Sequence, residues 1–276
     1  MQKNLTSPTL SRKFLVSCEL SFKSFLFGRK WVIYVLLALF PLLFTLLSPA
    51  NRLLGNDTPA EAYIDLYLGT VILFFFTFGC LLISLPFSAD EVTDHQIDLY
   101  IARPIPRELL YLSRTFSYHS ALFIANTVIA LLYFVYLHLV AMDFSAEMTS
   151  EFVNAIIMMG ENFHLLLKSV VLVFYGSLAY GGLFLLIGFI GNRAFTIGVV
   201  VALFERFFLS LLFLRDQPYF PLTNLSTIAG ELFSPLYTYA PTQVVPDFIV
   251  SQLYVVFLAC IWAIAGLFLM RYKEFE

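Results

Sequence analysis

The chain has 276 residues, of which 60% are hydrophobic and 13% charged, with a formal net charge of -3 and a mean hydropathy of +0.84. A soluble domain carries about 25% charged residues, so this composition excludes a water-soluble globule and indicates an integral membrane protein. Its apolar runs are long and continuous rather than alternating, which excludes a β-barrel, and no basic tract is present to bind nucleic acid.

The first predicted element is "SRKFLVSCELSFKSFLFGRK", residues 11–30. Phe14, Leu15, Cys18, Phe22, Phe25 and Leu26 fall largely on one helical stripe, and Arg12, Lys13, Glu19 and Lys23 mostly off it. An amphipathic helix of this kind lies in the membrane interface. Its expected extent is 9–28, with Gly28 allowing a bend into the first span.

A bilayer core of about 30 Å takes roughly 20 apolar residues per helix. Six runs qualify: 31–47, 66–87, 115–142, 165–190, 195–214 and 248–270. The first is too long for a cleaved leader, and Ser48-Pro49-Ala50 is a poor cleavage site. Lys and Arg crowd the N-terminal tail, the loop after span two (Arg103, Arg107, Arg114), the loop after span four (Arg193) and the C-terminal tail. The other side holds only Arg52, Lys168 and Arg215, so both termini are expected in the cytoplasm. Tyr63, Tyr67, Tyr219, Tyr237 and Tyr239 then fall near the outer interface, where amphipathic rings belong.

Between spans two and three lies a charged island, 88–114, within "FSADEVTDHQIDLYIARPIPRELLYLSR". Asp90 and Glu91 suit a helix N-terminus. Ile97, Tyr100 and Ile101 form an apolar face opposite much of the acidic set, which includes Asp94. Pro104 and Pro106 interrupt the helix, and Arg107-Glu108-Leu109-Leu110 restarts it. Helix, rigid kink, helix is a shape for another protein to grip.

Beyond span three, 146–163 is expected as a short outer helix. In span four Ser177, Gly181 and Gly182 offer a small-residue face for close packing. His119 and His138, near the ends of span three, are expected to be packed or interface histidines. Glu161 and His164 have a metal-like spacing, but two ligands do not make a site. Glu205 and Arg206 sit mid-span, where charges are functional candidates by default. They point about 100° apart, so each seeks its own partner, in the translocation path or at a dimer interface. The loop 215–247 is too apolar to be solvated, and its five prolines predict short re-entrant or interfacial helices. Asn56 and Asn224 head Asn-x-Thr/Ser patterns on this outer side and are expected to be accessible there. Cys18, Cys80 and Cys260 show no ligand spacing.

The island resembles the cytoplasmic motif of ABC-2 type transporter permeases. Asp90-Glu91 resembles its acidic pair, Ile97 its aliphatic position and Tyr100-Ile101 its leucine pair; Arg103-Pro104-Ile105-Pro106-Arg107 resembles its core and Arg114 its closing basic residue. His95-Gln96 replaces the usual Gly-Thr, and Pro106 the usual serine. The resemblance implies an all-α polytopic permease with six transmembrane helices, an N-terminal elbow helix, a cytoplasmic coupling helix between spans two and three, and re-entrant helices between spans five and six, all in one domain, 1–276. It implies export across the plasma membrane by a homo- or heterodimer, driven by two ATPase subunits that dock on Asp90, Glu91, Asp94, Ile97, Tyr100, Arg103, Pro104, Pro106 and Arg107. The chain has no G-x-x-x-x-G-K-[ST] loop, so ATP and Mg belong to that partner and this chain carries no catalytic residue, cofactor or metal of its own. A secondary transporter and a membrane scaffold without ATP coupling stand as alternatives.

Overall fold

The computed structural model describes residues 10–27, 30–47, 58–85, 106–140, 148–191, 193–205, 221–234 and 247–272. Among these, every regular element is helical: α1 (Leu10–Phe27), α2 (Lys30–Leu47), α3 (Pro59–Tyr63), a π-helical stretch (Ile64–Phe75), α4 (Phe76–Ser84), α5 (Arg107–Val140), α6 (Met148–Gly188), α7 (Ala194–Leu203), α8 (Pro221–Phe233) and α9 (Phe248–Tyr272). Helices α5, α6 and α9 are long and apolar enough to cross a membrane, and α2 and α7 contribute shorter apolar stretches. A polypeptide in hydrocarbon must satisfy its backbone polar groups internally, which is why an apolar chain of this kind resolves into helices.

The α3–π–α4 rod begins seven residues before the predicted second span. Thr58 caps it: its hydroxyl accepts from Glu61 N–H at 3.3 Å and its own N–H donates to the Glu61 carboxylate at 2.9 Å. Pro59 fills the first turn, where no N–H is needed. In the π-helical stretch the turns widen, and the Phe76 N–H reaches back five residues to the Val71 carbonyl.

Helix α6 corrects one expectation. The segment 146–163 is no separate outer helix; from Met148 it is continuous with span four through Gly188. No proline interrupts it, and Gly160, the one glycine in the segment 146–163, costs about 1 kcal/mol, too little to end a helix. Its 41 residues span about 62 Å, well beyond the hydrocarbon core. Gly191, with φ 88°, then turns the chain toward α7.

Helices α5 and α6 pack along each other, α9 lies against both, and α1 lies against α5. The small residues of α6 set two of these distances. A Cβ at Gly181 would come within 2.7 Å of His119 on α5, and one at Gly182 within 2.5 Å of Trp262 on α9. In lipid, where no hydrophobic force drives helices together, this close approach is what holds them.

Helix α8 lies in the predicted re-entrant loop and packs against α6, α9 and the π-helical stretch. It turns Asn224 through Ala229 inward, so Asn224 is fully buried, against the expected outer accessibility. A polar residue in a loop with a glycosylation pattern reads as surface, but this loop folds back into the bundle. A cysteine at position 224 is therefore expected to stay unmodified by a maleimide in the detergent-solubilised protein while the exposed Cys260 reacts. Equal alkylation of the two would show that α8 is not seated in the bundle.

Candidate functional site

The island's end is where the described chain resumes. Pro106 is exposed, and its carbonyl accepts the Leu110 N–H at 3.1 Å. Pro106 is thus the residue before the first turn of α5, with Arg107 and Glu108 inside that turn. Asp90, Glu91, Asp94, Ile97, Tyr100, Arg103 and Pro104, like Arg206, lie outside the described residues.

Two turns further, α5 is bound to α1 by a polar patch. The Ser17 and Ser113 hydroxyls meet at 2.7 Å, Ser117 donates to the Cys18 carbonyl at 3.4 Å, and the Arg114 guanidinium donates to the Ser21 hydroxyl. Ser21 in turn donates to the Ser17 carbonyl at 2.8 Å. Arg114 is 1% exposed. A buried guanidinium demands acceptors, and this demand orients α1. Ser17, Ser21 and Phe25 face the protein, while Leu10, Leu15, Val16 and Leu20 face outward. Part of the expected apolar stripe, Leu15 above all, points away from the chain. On the outer side Lys23 bonds Glu19 at 2.6 Å and holds its carboxyl below the usual range.

A second polar region runs through the middle of the bundle, built of tyrosines. Tyr34 donates to the Asn126 side-chain oxygen, Tyr63 to Ser169 at 2.7 Å, Tyr118 to the Cys80 carbonyl at 2.7 Å and Tyr133 to the Ala38 carbonyl at 2.7 Å. These bonds tie α2 to α5, α3 to α6 and α4 to α5. Tyr63 and Tyr67 are stacked at 5.2 Å and fully buried. They are core residues, not the interfacial residues expected from sequence; Tyr219, Tyr237 and Tyr239 lie outside the described residues. The Tyr63–Tyr67 spacing of four was the available signal, since it stacks two rings on one helix face. An interfacial pair has the same spacing, so the partners Ser169 and Tyr133 were needed to tell them apart.

Glu205 follows the end of α7 and is 8% exposed. Its carboxyl lies within electrostatic reach of the Tyr180 hydroxyl of α6, as does Thr77 of α4. The mid-span acid thus turns into its own chain. Removing one partner from a buried polar group costs about 1–3 kcal/mol. Glu205→Leu is therefore expected to lower the thermal midpoint of the purified protein, and Glu205→Gln, which keeps an acceptor, to lower it less. Equal midpoints for parent and both variants would show that this contact does not hold the bundle.

His138 and His119 both bond backbone carbonyls one turn back, at 2.8 Å each, and His138 also meets Asn162 at 3.1 Å. His164 is exposed and bonds the Glu161 carbonyl at 3.0 Å. No group of three or more metal-binding side chains occurs among the described residues.

Helical elements throughout the described residues, three apolar helices long enough to span, and polar contacts buried between helices define a membrane-embedded helical protein. Comparison with protein-family models, with curated proteins and with solved structures returns no match for this chain.

Proposed function

We propose that this chain is the membrane-spanning permease subunit of an ATP-binding-cassette transporter of the ABC-2 type, an exporter. It crosses the plasma membrane six times with both termini in the cytoplasm. Two permease subunits form the path, and two separate ATPase subunits, which bind the ATP and Mg, grip the island between spans two and three. Arg206 contributes to the path or to the contact between subunits, while Glu205 holds the bundle from within.

The observation that carries this reading is the buried Arg114 junction. The island leads directly into α5, and Arg114 ties α5 to α1 two turns later. A displacement of the island is therefore delivered to an interfacial helix and a spanning helix together, as an ATPase-driven lever requires. Hydrogen bonds to a charged donor contribute about 1.5–3 kcal/mol, enough to keep the two helices moving as one.

The test is purification of the full chain from its native membrane. An ATPase subunit should accompany it, and the complex in lipid should hydrolyse ATP. Isolation of the chain with no ATPase under conditions that keep other membrane complexes intact would reject the proposal.

A further inference from the structure

Between α5, α6 and α9 a cavity of about 650 Å³ opens at the surface of the described bundle. Along α5 it runs from Leu112 to Phe123, about 16 Å. Phe116, Phe174 and Val256, 61%, 48% and 44% exposed, stand at its mouth. No Lys, Arg, Asp or Glu is among the residues that line it. Its polar groups are Thr115, His119, Ser120 and Ser177.

These groups have a definite hydrogen-bonding bias. Thr115 donates its hydroxyl proton to the Tyr111 carbonyl at 2.9 Å, and Ser177 donates to the Phe174 carbonyl at 2.8 Å. His119 Nδ1 lies 2.8 Å from the Thr115 carbonyl. A carbonyl only accepts, so Nδ1 carries the proton and Nε2 presents a lone pair. The ring is held in place by Gly181, where any Cβ would come within 2.7 Å of Nε2. Three of the four polar side chains therefore offer acceptors.

We infer that this groove binds one neutral lipid with a long apolar chain and a hydroxyl head, the hydroxyl donating to His119 Nε2. An anionic head has no cation and few donors to meet it here, and a cationic head has no carboxylate. The apolar walls take the chain, and the lateral mouth admits it from the bilayer. Glu205 is not among the residues that line the site, and the site does not depend on the chain being a transporter.

The experiment uses the full-length protein in phosphatidylcholine nanodiscs with three probes of equal chain length carrying the same diazirine: hexadecanol, hexadecanoic acid and a phosphatidylcholine. After irradiation, labelled peptides are mapped by mass spectrometry. The alcohol is expected to label the α5 segment 112–123 and the α9 segment 256–263 about fivefold more than either other probe, the factor one buried hydrogen bond contributes. His119→Phe should remove that preference, and Ala259→Phe, which fills the groove, should remove labelling by all three. An independent readout needs no variant: unlabelled hexadecanol, but not hexadecanoic acid, should slow alkylation of Cys260 in the parent protein. Equal labelling by the three probes, a preference that survives His119→Phe, or no selective protection of Cys260 would each overturn the inference.

Discussion

Gly79→Val is expected to destabilise the bundle strongly. A Cβ at this position of α4 would overlap the ring of Tyr34 on α2. Tyr34 cannot swing aside cheaply: it is fully buried, and its hydroxyl is held by Asn126. Asn126 is itself held, because its amide donates to the Leu122 carbonyl at 2.8 Å. Overpacking costs about 1–3 kcal/mol, and a broken interhelical hydrogen bond in a membrane adds about 0.6 kcal/mol. Against a total stability of about 5–15 kcal/mol that is a large loss. The thermal midpoint of monodisperse protein, followed by size-exclusion chromatography, should fall by several degrees. Gly160→Ala is the matched control. Nothing lies within 4 Å of a Cβ at Gly160, and alanine in a helix interior gains roughly 0.5–1 kcal/mol over glycine. An unchanged midpoint for Gly79→Val would show that α2 and α4 do not meet at Tyr34.

The second large effect is on coupling. Replacing Arg103 and Arg107 together by Glu reverses two charges on either side of the Pro104–Pro106 kink. Arg107 is only half-buried and Pro106 is exposed, so the change leaves the packing of α5 nearly untouched. Insertion and thermal stability are therefore expected to match the parent. Under the proposed permease function, the ATPase subunit should be lost on purification, or be retained while ATP hydrolysis and transport fall at least tenfold. Truncating one partner of a buried charge pair at an interface costs about 2–5 kcal/mol, which sets that scale. Normal co-purification together with normal transport would remove the island from the mechanism.

The helical, membrane-embedded class of this protein was legible in its sequence, because the hydrocarbon length of a helix and the low charge content are local properties. The start of α5 at Arg107 was legible too, since Pro106 is a local stop. The small face at Gly181 and Gly182 could be read from its spacing, though not what it packs against. Where the sequence misled, the deciding partner was distant in the chain. Tyr63 and Tyr67 read as interfacial rings because amphipathic tyrosines sit equally well at a membrane surface or on a buried hydroxyl; Ser169, 106 residues away from Tyr63, decides it. The facing of α1 was set by Arg114, 93 residues from its acceptor Ser21, because a buried charge outweighs the placement of a few leucines on an amphipathic helix. Asn224 carried a surface pattern, and only the docking of α8 against α6 and α9 turned it inward. The groove around His119 has no sequence signature: its walls come from three helices, and the tautomer that gives it a ligand preference follows from one hydrogen bond to Thr115. Composition and periodicity determine that this chain enters a membrane as helices; which polar group meets which, and so where a ligand can bind, is decided only when the helices pack.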